Sequence, residues 1–368
     1  MKIITVVLRI LVGVLFIFSG LVKANDPLGL SYKMQEFFEV WGLHGFDAHT
    51  LWMSVAMNAF EIIAGFALLI GWRIPLISWL LLLLILFFTF LTGYTYVTGK
   101  PVNCGCFGDC LPISSKISFL KDVLLTLGIA VIFWRRYKIR PLFGRLPSGL
   151  LMVIATLFAF FFQWYTLTYL PVVDCLPFKK QNNLPVQMLP PPGAVTDSFA
   201  IMFVYEKGGK EFEFAPAELP ADLDTYNYVD RRDKMVRQGN AMPPIKGFAL
   251  SGLSGTDSTD IILSAPRAVL LFCENFDRPV SGWGAGFEEV YRAAVAKGIP
   301  VYAISNTKDL ARTLFQPFAF RDIPVFSCDN TTIRTAARTN PAVYLLEKGT
   351  VIEKTGPKQM DRITQLLR

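Results

Sequence analysis

The sequence predicts an all-α helical membrane bundle of five spans followed by an exported α/β domain. Composition is the first observation behind this. The 368-residue chain is 52% hydrophobic and 18% charged, with a mean hydropathy of +0.41. A soluble domain carries about 25% charged residues. The second is uneven charge. Residues 1–170 hold 13 Lys/Arg and 7 Asp/Glu, whereas residues 171–368 hold 23 and 22. The third is a set of five apolar stretches, each near the roughly 20 residues that cross a bilayer. Together these exclude a disordered chain and a wholly soluble enzyme. The membrane half contributes +6 of the net charge of +7. The basic balance is therefore a topology signal, and no nucleic-acid partner is expected.

The spans fall at 3–22, 51–71, 76–97, 117–134 and 149–170. Trp79 through Leu91 carry no charge. The first stretch resembles a signal peptide in length, but Arg9 interrupts its apolar run and four more spans follow, so an uncleaved helix is expected. Orientation follows from Lys and Arg in short loops. Arg135, Arg136, Lys138, Arg140 and Arg145 lie between spans four and five without an acid, which places that loop in the cytoplasm. Alternation puts the N-terminus inside and exports everything after span five. The C-terminal domain is therefore expected on the non-cytoplasmic side of the membrane. Segment 32–41, with Met34, Phe37, Phe38 and Trp41, reads as an amphipathic helix in the outer interface.

Past the membrane half (1–170), residues 171–197 read as a Pro-rich linker, ending in Pro190-Pro191-Pro192-Gly193. Residues 199–205 and 211–214 flank Lys207-Gly208-Gly209-Lys210, a hairpin signal, and 216–265 reads as irregular, so 198–265 forms a hairpin with an extension. Residues 266–368 alternate strand and helix before a second hairpin at 342–354 and a final helix.

The chemistry concentrates in Asn103-Cys104-Gly105-Cys106-Phe107-Gly108-Asp109-Cys110, an outer loop between spans three and four. Thiols in an oxidising compartment usually pair. A bond between Cys104 and Cys106 would close so short a ring that it would be strained and exchange readily. Cys175, just past span five, is a candidate resolving partner. Three readings stand side by side: redox exchange, structural disulfides pinning the loop, and a zinc site of four cysteines. Arg9 and Glu61 are ionisable groups inside spans, expensive in lipid and expected to face the bundle interior. An Arg9–Glu61 ion pair locking spans one and two is expected, ahead of a proton or quinone site. Lys121 and Asp122, at the outer end of span four, are expected to be solvated. Cys273 and Cys328 read as buried single thiols, with a disulfide between strand ends as the alternative. His44 and His49 receive no role.

Two resemblances add to this reading. Residues 1–135 resemble the DoxX/MauE family of membrane proteins. The matching positions are Arg9, Gly13, Gly20, Lys23, Glu61, Gly65, Gly71, Cys104-Gly-Cys-Phe-Gly108 and Lys121-Asp122. With its long exported tail the chain resembles multi-domain members from the Bacteroidetes. MauE implies help in maturing a disulfide-rich methylamine dehydrogenase, and DoxX implies quinone- or thiol-linked electron transfer. Residues 260–368 resemble the thioredoxin-like domains of envelope redox proteins, through Thr339-Asn340-Pro341 ahead of a strand. Where such a domain carries Cys-x-x-Cys, this chain has Asn275-Phe276-Asp277-Arg278-Pro279-Val280. The tail therefore reads as a non-catalytic relative.

The sequence thus supports a membrane protein passing electrons or disulfides through Cys104, Cys106, Cys110 and Cys175, with a quinone as the candidate cofactor and envelope thiol proteins as candidate partners. The alternative is a scaffold with structural cysteines whose exported domain recruits envelope proteins. A small-solute transporter built around Glu61 is a weaker third reading, because no inverted repeat is visible. The topology has a direct check. An alkaline phosphatase reporter fused at Gly193 is expected to be active and one fused at Arg140 inactive; the reverse pattern would put the cysteines in a reducing compartment.

Overall fold

The computed structural model describes residues 2–101, 108, 110–111, 113–196, 198–237, 239–252 and 255–368. Five helices are long and apolar enough to cross a membrane. They are α1 (Lys2–Asn25), α3 (Thr50–Ile70), α4 (Ile74–Thr98), α5 (Ser115–Trp134) and α6 (Arg145–Tyr169), with α2 (Pro27–Val40) folded back from the end of α1. Helix α2 starts earlier than its apolar pattern suggests, because Asp26 caps Gly29 N at 3.1 Å and Pro27 occupies its first position.

Helices α1 and α3 pack closely. An added Cβ on Gly65 would lie 2.8 Å from Gly13 O, so the backbones meet where a side chain would hold them apart. Polar side chains tie the other helices on. Gln163 of α6 donates to Val55 O at 3.1 Å and accepts from Asn58 at 3.2 Å, and Thr166 donates to Ala24 O at 3.0 Å. The hydroxyls of Thr89 and Thr126 join α4 to α5 at 3.0 Å. Buried hydroxyls and amides suit helix contacts in lipid, where apolar side chains gain little by leaving hydrocarbon for a neighbouring helix.

The connecting segment beyond α6 is more than a tether. Leu176, Phe178 and Leu184 are buried, and the short helix α7 (Leu184–Gln187) begins there. Gln181 N donates to Val351 O at 2.8 Å and Leu184 N to Gly349 O at 2.8 Å. This stretch covers one side of the tail's core.

Next stands a three-stranded antiparallel sheet in the order β2-β1-β3, from β1 (Ser198–Lys207), β2 (Lys210–Phe214) and β3 (Asn227–Arg237). The β1–β2 hairpin pairs Lys207 with Lys210 across Gly208-Gly209, as the turn signal predicts. Strand β3 lies inside the stretch that reads as irregular. Both faces of its central part are exposed, so it lacks the apolar alternation that marks a half-buried strand. Cross-strand ion pairs from Arg232 to Glu213 and Glu211, at 2.6 and 3.2 Å, replace it.

The C-terminal region is an α/β layer. Its elements are α8 (Thr259–Ser264), β4 (Ala268–Phe272), α9 (Gly284–Ala296), β5 (Val301–Ile304), α10 (Lys308–Phe315), β6 (Val325–Phe326), α11 (Asn330–Ala336), β7 (Ala342–Glu347), β8 (Thr350–Thr355) and α12 (Asp361–Leu367). The sheet order is β6-β5-β4-β7-β8. Strands β4, β5 and β6 are parallel, while β7 and β8 run antiparallel. Every residue of β4 is buried, as expected of a strand covered on both faces. Phe287, Val290, Phe315 and Ile363 pack on one face, and Phe178, Phe248, Ile262 and Ile333 on the other. Asn340–Pro341, ahead of β7, is a cis peptide.

The α1–α3 contact makes a checkable statement. Gly65→Val is expected to force the two helices apart and to lower the melting temperature of the detergent-solubilised protein by several degrees, the consequence of ~1–3 kcal/mol of overpacking. An unchanged melting temperature would mean that the helices do not meet at that level.

Candidate functional site

The α1–α3 register decides which charges meet. Gly20 lies against Asn58 and Ile62, so Glu61 is level with residue 19 or so of α1. Arg9 is about ten residues away, or ~15 Å along the helix at 1.5 Å per residue. The expected Arg9–Glu61 pair therefore does not form. Glu61 pairs instead with Lys23, one turn along α1, and both side chains are fully buried. Arg9 reaches the C-terminal end of α3, where it donates to Leu68 O at 2.7 Å, Leu69 O at 2.6 Å and Arg140 O at 3.2 Å. A cation there satisfies carbonyls that lack helical partners and complements the helix dipole. Gly71, the left-handed cap of α3 at φ 78°, makes room for it, since a Cβ there would lie 2.8 Å from Arg9 Nη2. Arg9 is thus a structural clamp, and Lys23 is the partner of Glu61. Its signal was present: a lysine in the last turn of an apolar helix, facing a span that carries a lone glutamate.

Asp122 also departs from expectation. Its side chain is buried, accepts from Thr92 Oγ1 at 3.1 Å and lies 2.9 Å from Lys121 Nζ. Because α5 packs along α4, the first turns of α5 are walled by protein and not by solvent. Two cavities connect these charges. A small one, about 20 Å³, is bounded by Ser19, Glu61, Phe88, Lys121 and Asp122. A larger one, about 100 Å³, shares Ser19, Phe88 and Lys121 with it and is walled by Met34, Phe37, Trp41, Met53 and Met57. Helix α2 supplies the outer wall, so the amphipathic segment seals a chamber. Lys23 Nζ lies 4.7 Å from the centre of the Phe88 ring. The second oxygen of Glu61, Oε2, is buried without a hydrogen-bond partner among the described residues. The arrangement is an apolar, aromatic- and Met-lined chamber that ends on two cation–carboxylate pairs, one retaining an open acceptor.

Two described residues of the cysteine segment, Gly108 and Cys110, place it near the end of α1. Cys104 and Cys106 lie outside the described residues. Cys110 is bonded to Cys175, with Cα atoms 4.9 Å apart. A zinc site using all four cysteines would need both of those sulfurs as free thiolates. Gly108 packs beside Val22, the neighbour of Lys23. Asn25 clamps the chain next to Cys175, donating to Val173 O at 2.8 Å and accepting from Val173 N at 3.0 Å. Cys273 and Cys328 are separate buried thiols. Burial pushes the Cys273 thiol far up and the Cys328 thiol up to about 11, so neither carries appreciable thiolate at neutral pH.

The tail docks on the outer wall of the chamber. Tyr32 of α2 donates to Glu274 at 2.6 Å, and Arg334 bonds the other oxygen of Glu274 at 3.0 Å. Burial raises the Tyr32 phenol well above its ordinary value, and the Glu274 carboxylate adds to this, so the hydroxyl stays protonated as a donor. Arg338 meets Asp26 at 3.0 Å. Lys354, whose burial lowers its pKa against the opposing pull of Asp174, bonds that carboxylate at 2.9 Å. Glu274 follows the end of β4, and its amide accepts support from the cis-proline loop by donating to Asn340 Oδ1 at 3.2 Å. The β4 end of the tail, where Asn275 and Asn340 are joined at 2.7 Å, therefore lies against the membrane helices.

These features converge on residues 1–135: the Gly13–Gly65 contact, the Lys23–Glu61 pair and the cysteine loop. Residues 1–135 match the family model of methylamine utilisation protein MauE. The membrane region is MauE-like, and the match ends at the close of α5, before α6 and the tail. Residues 199–238 match a domain of unknown function, DUF8463, which covers the three-stranded sheet. No curated protein matches the chain.

The pair in the MauE-like region is testable by a double-mutant cycle. Lys23→Met alone is expected to cost ~3–5 kcal/mol, because it leaves Glu61 buried without its partner, while Lys23→Met with Glu61→Gln recovers most of that loss. The readout is thermal unfolding in detergent. Equal losses in the single and double variants would mean that the two groups do not interact.

Proposed function

We propose that this MauE-like protein is a thiol–disulfide relay at the outer face of a bacterial inner membrane, with an isoprenoid quinone taken up in the chamber walled by α2. The observation that carries this reading is the Cys110–Cys175 disulfide beside the outer end of α1, with Gly108 against Val22 and the Lys23–Glu61 pair at the next residue of the helix.

In the relay a pair of thiols among Cys104, Cys106, Cys110 and Cys175 is oxidised to a disulfide, releasing two electrons and two protons. A quinone supplies the matching two-electron, two-proton acceptor chemistry. The chamber fits such a molecule on two counts. Phe37, Trp41, Met53 and Phe87 offer an apolar aromatic lining, and the open Oε2 of buried Glu61 offers a proton acceptor at its inner end. Lys23 and Lys121 offer donors for ring oxygens. The tail serves as a docking domain. Its sheet, with β4 central and a cis-proline loop facing the end of β4, supports a thioredoxin-like lineage, and the residues at that end bind α2.

A specific observation favours a second reading. The disulfide and Asn25 together clip the loop and the connecting segment onto α1, as a structural clasp on a scaffold would. One experiment separates the two. The full-length protein in detergent is reduced with dithiothreitol, freed of excess reductant and mixed with a short-chain quinone analogue. The relay reading expects quinol to form in step with thiol loss, Lys23→Met to slow it, and Cys106→Ser to accumulate a dithiothreitol-sensitive mixed disulfide. If the reduced wild-type protein forms no quinol, and replacing Cys104, Cys106 and Cys110 only lowers the melting temperature, the clasp is correct.

A further inference from the structure

A third cavity, about 510 Å³, lies at the seam between α6 and the tail. Tyr165 and Tyr169, at the end of α6, form one side, with their rings 5.0 Å apart. Lys179 and Lys180 of the connecting segment, Lys354 of β8 and Arg362 of α12 form the other. The charges do not cancel. Lys354 is paired with Asp174 and Lys180 with Glu353. No ion pair among the described residues engages Lys179 or Arg362, and both are exposed. The cavity therefore presents two uncompensated positive charges and two phenol hydroxyls.

Its position completes the argument. Trp164, Tyr165 and Tyr169 sit where a span meets the lipid headgroups, and Lys358 of the tail lies 6.0 Å from the Trp164 ring centre. Below the cavity, Phe161 and Trp164 are exposed on the side of α6, a track for an acyl chain. Cations at headgroup depth attract anionic lipid, and fixed donors make that attraction site-specific.

We propose that this cavity binds a phosphate group, supplied by an anionic phospholipid whose chains lie along α6, and that the bound headgroup ties the tail to the span end. The site is independent of the cysteine chemistry. The test uses the full-length protein in detergent with added phosphatidylglycerol or phosphatidylcholine, read by native mass spectrometry. Phosphatidylglycerol is expected to be retained over phosphatidylcholine on the order of tenfold, as two cations imply. Lys179→Gln with Arg362→Gln is expected to abolish that preference while leaving the lipid-free melting temperature unchanged. Millimolar inorganic phosphate distinguishes the sources: competition shows that the phosphate group alone suffices, and persistence of the lipid adduct assigns the site to the intact lipid. Equal retention of the two lipids, or a preference that survives the double substitution, overturns the proposal.

Discussion

The contact of α1 with α3 across Gly13 and Gly65 sets the level of every charge in the bundle. Because the two backbones touch, neither helix can slide without a clash, and the register is fixed within a fraction of a turn. That register carries Arg9 to the end of α3 and leaves Lys23 to meet Glu61. Two groups that lipid would penalise heavily are thus stabilised by partners that the packing brings, not by solvent. A shift of one helical turn would leave Glu61 without a cation and Arg9 without its carbonyls.

From this contact the rest follows outward. Lys23 stands one residue beyond Val22, which Gly108 approaches, and two before Asn25, which holds the segment leading to Cys175. The chamber between α1, α3, α4 and α5 has α2 as its outer wall, and α2 is held there from both sides. Ser31 and Ser54 tie it to α3, at 2.9 Å to Thr50 and 2.7 Å to Pro27 O. Tyr32 and Asp26 tie it to the tail. A single helix therefore links the chamber and the C-terminal domain. Movement of the tail would be felt at the chamber wall, since the same fourteen-residue helix contributes to both.

The tail reaches the membrane by its β4 end. In the parallel part of an α/β sheet, the carboxyl ends of the strands are where ligands usually bind. Here Glu274, Asn275 and Asn340 occupy that end, and it is turned toward α2. The position suited to chemistry in a free-standing domain is used for docking. The two thiols of this domain are buried away from exchange.

By itself the sequence determined the five apolar helices, the β1–β2 hairpin and the succession of strands and helices in the tail, because each depends on local periodicity, length and turn residues. It also marked the cysteine loop, Arg9 and Glu61 as chemically unusual. Only the tertiary structure decided the partners. Arg9 and Glu61 read as a pair because both are charged and intramembrane; the close Gly13–Gly65 contact sets a register that separates them. Asp122 reads as solvated because it lies near a helix start, yet α4 walls it off. Strand β3 reads as irregular because neither face of it is apolar; it is held by its antiparallel ladder with β1, and Arg232 reaches across to Glu213 of β2. Phe178 and Leu184 read as linker because prolines surround them, while the tail's sheet leaves one face for them to cover. In each case the deciding term is a contact between residues far apart in the chain, which no local pattern encodes.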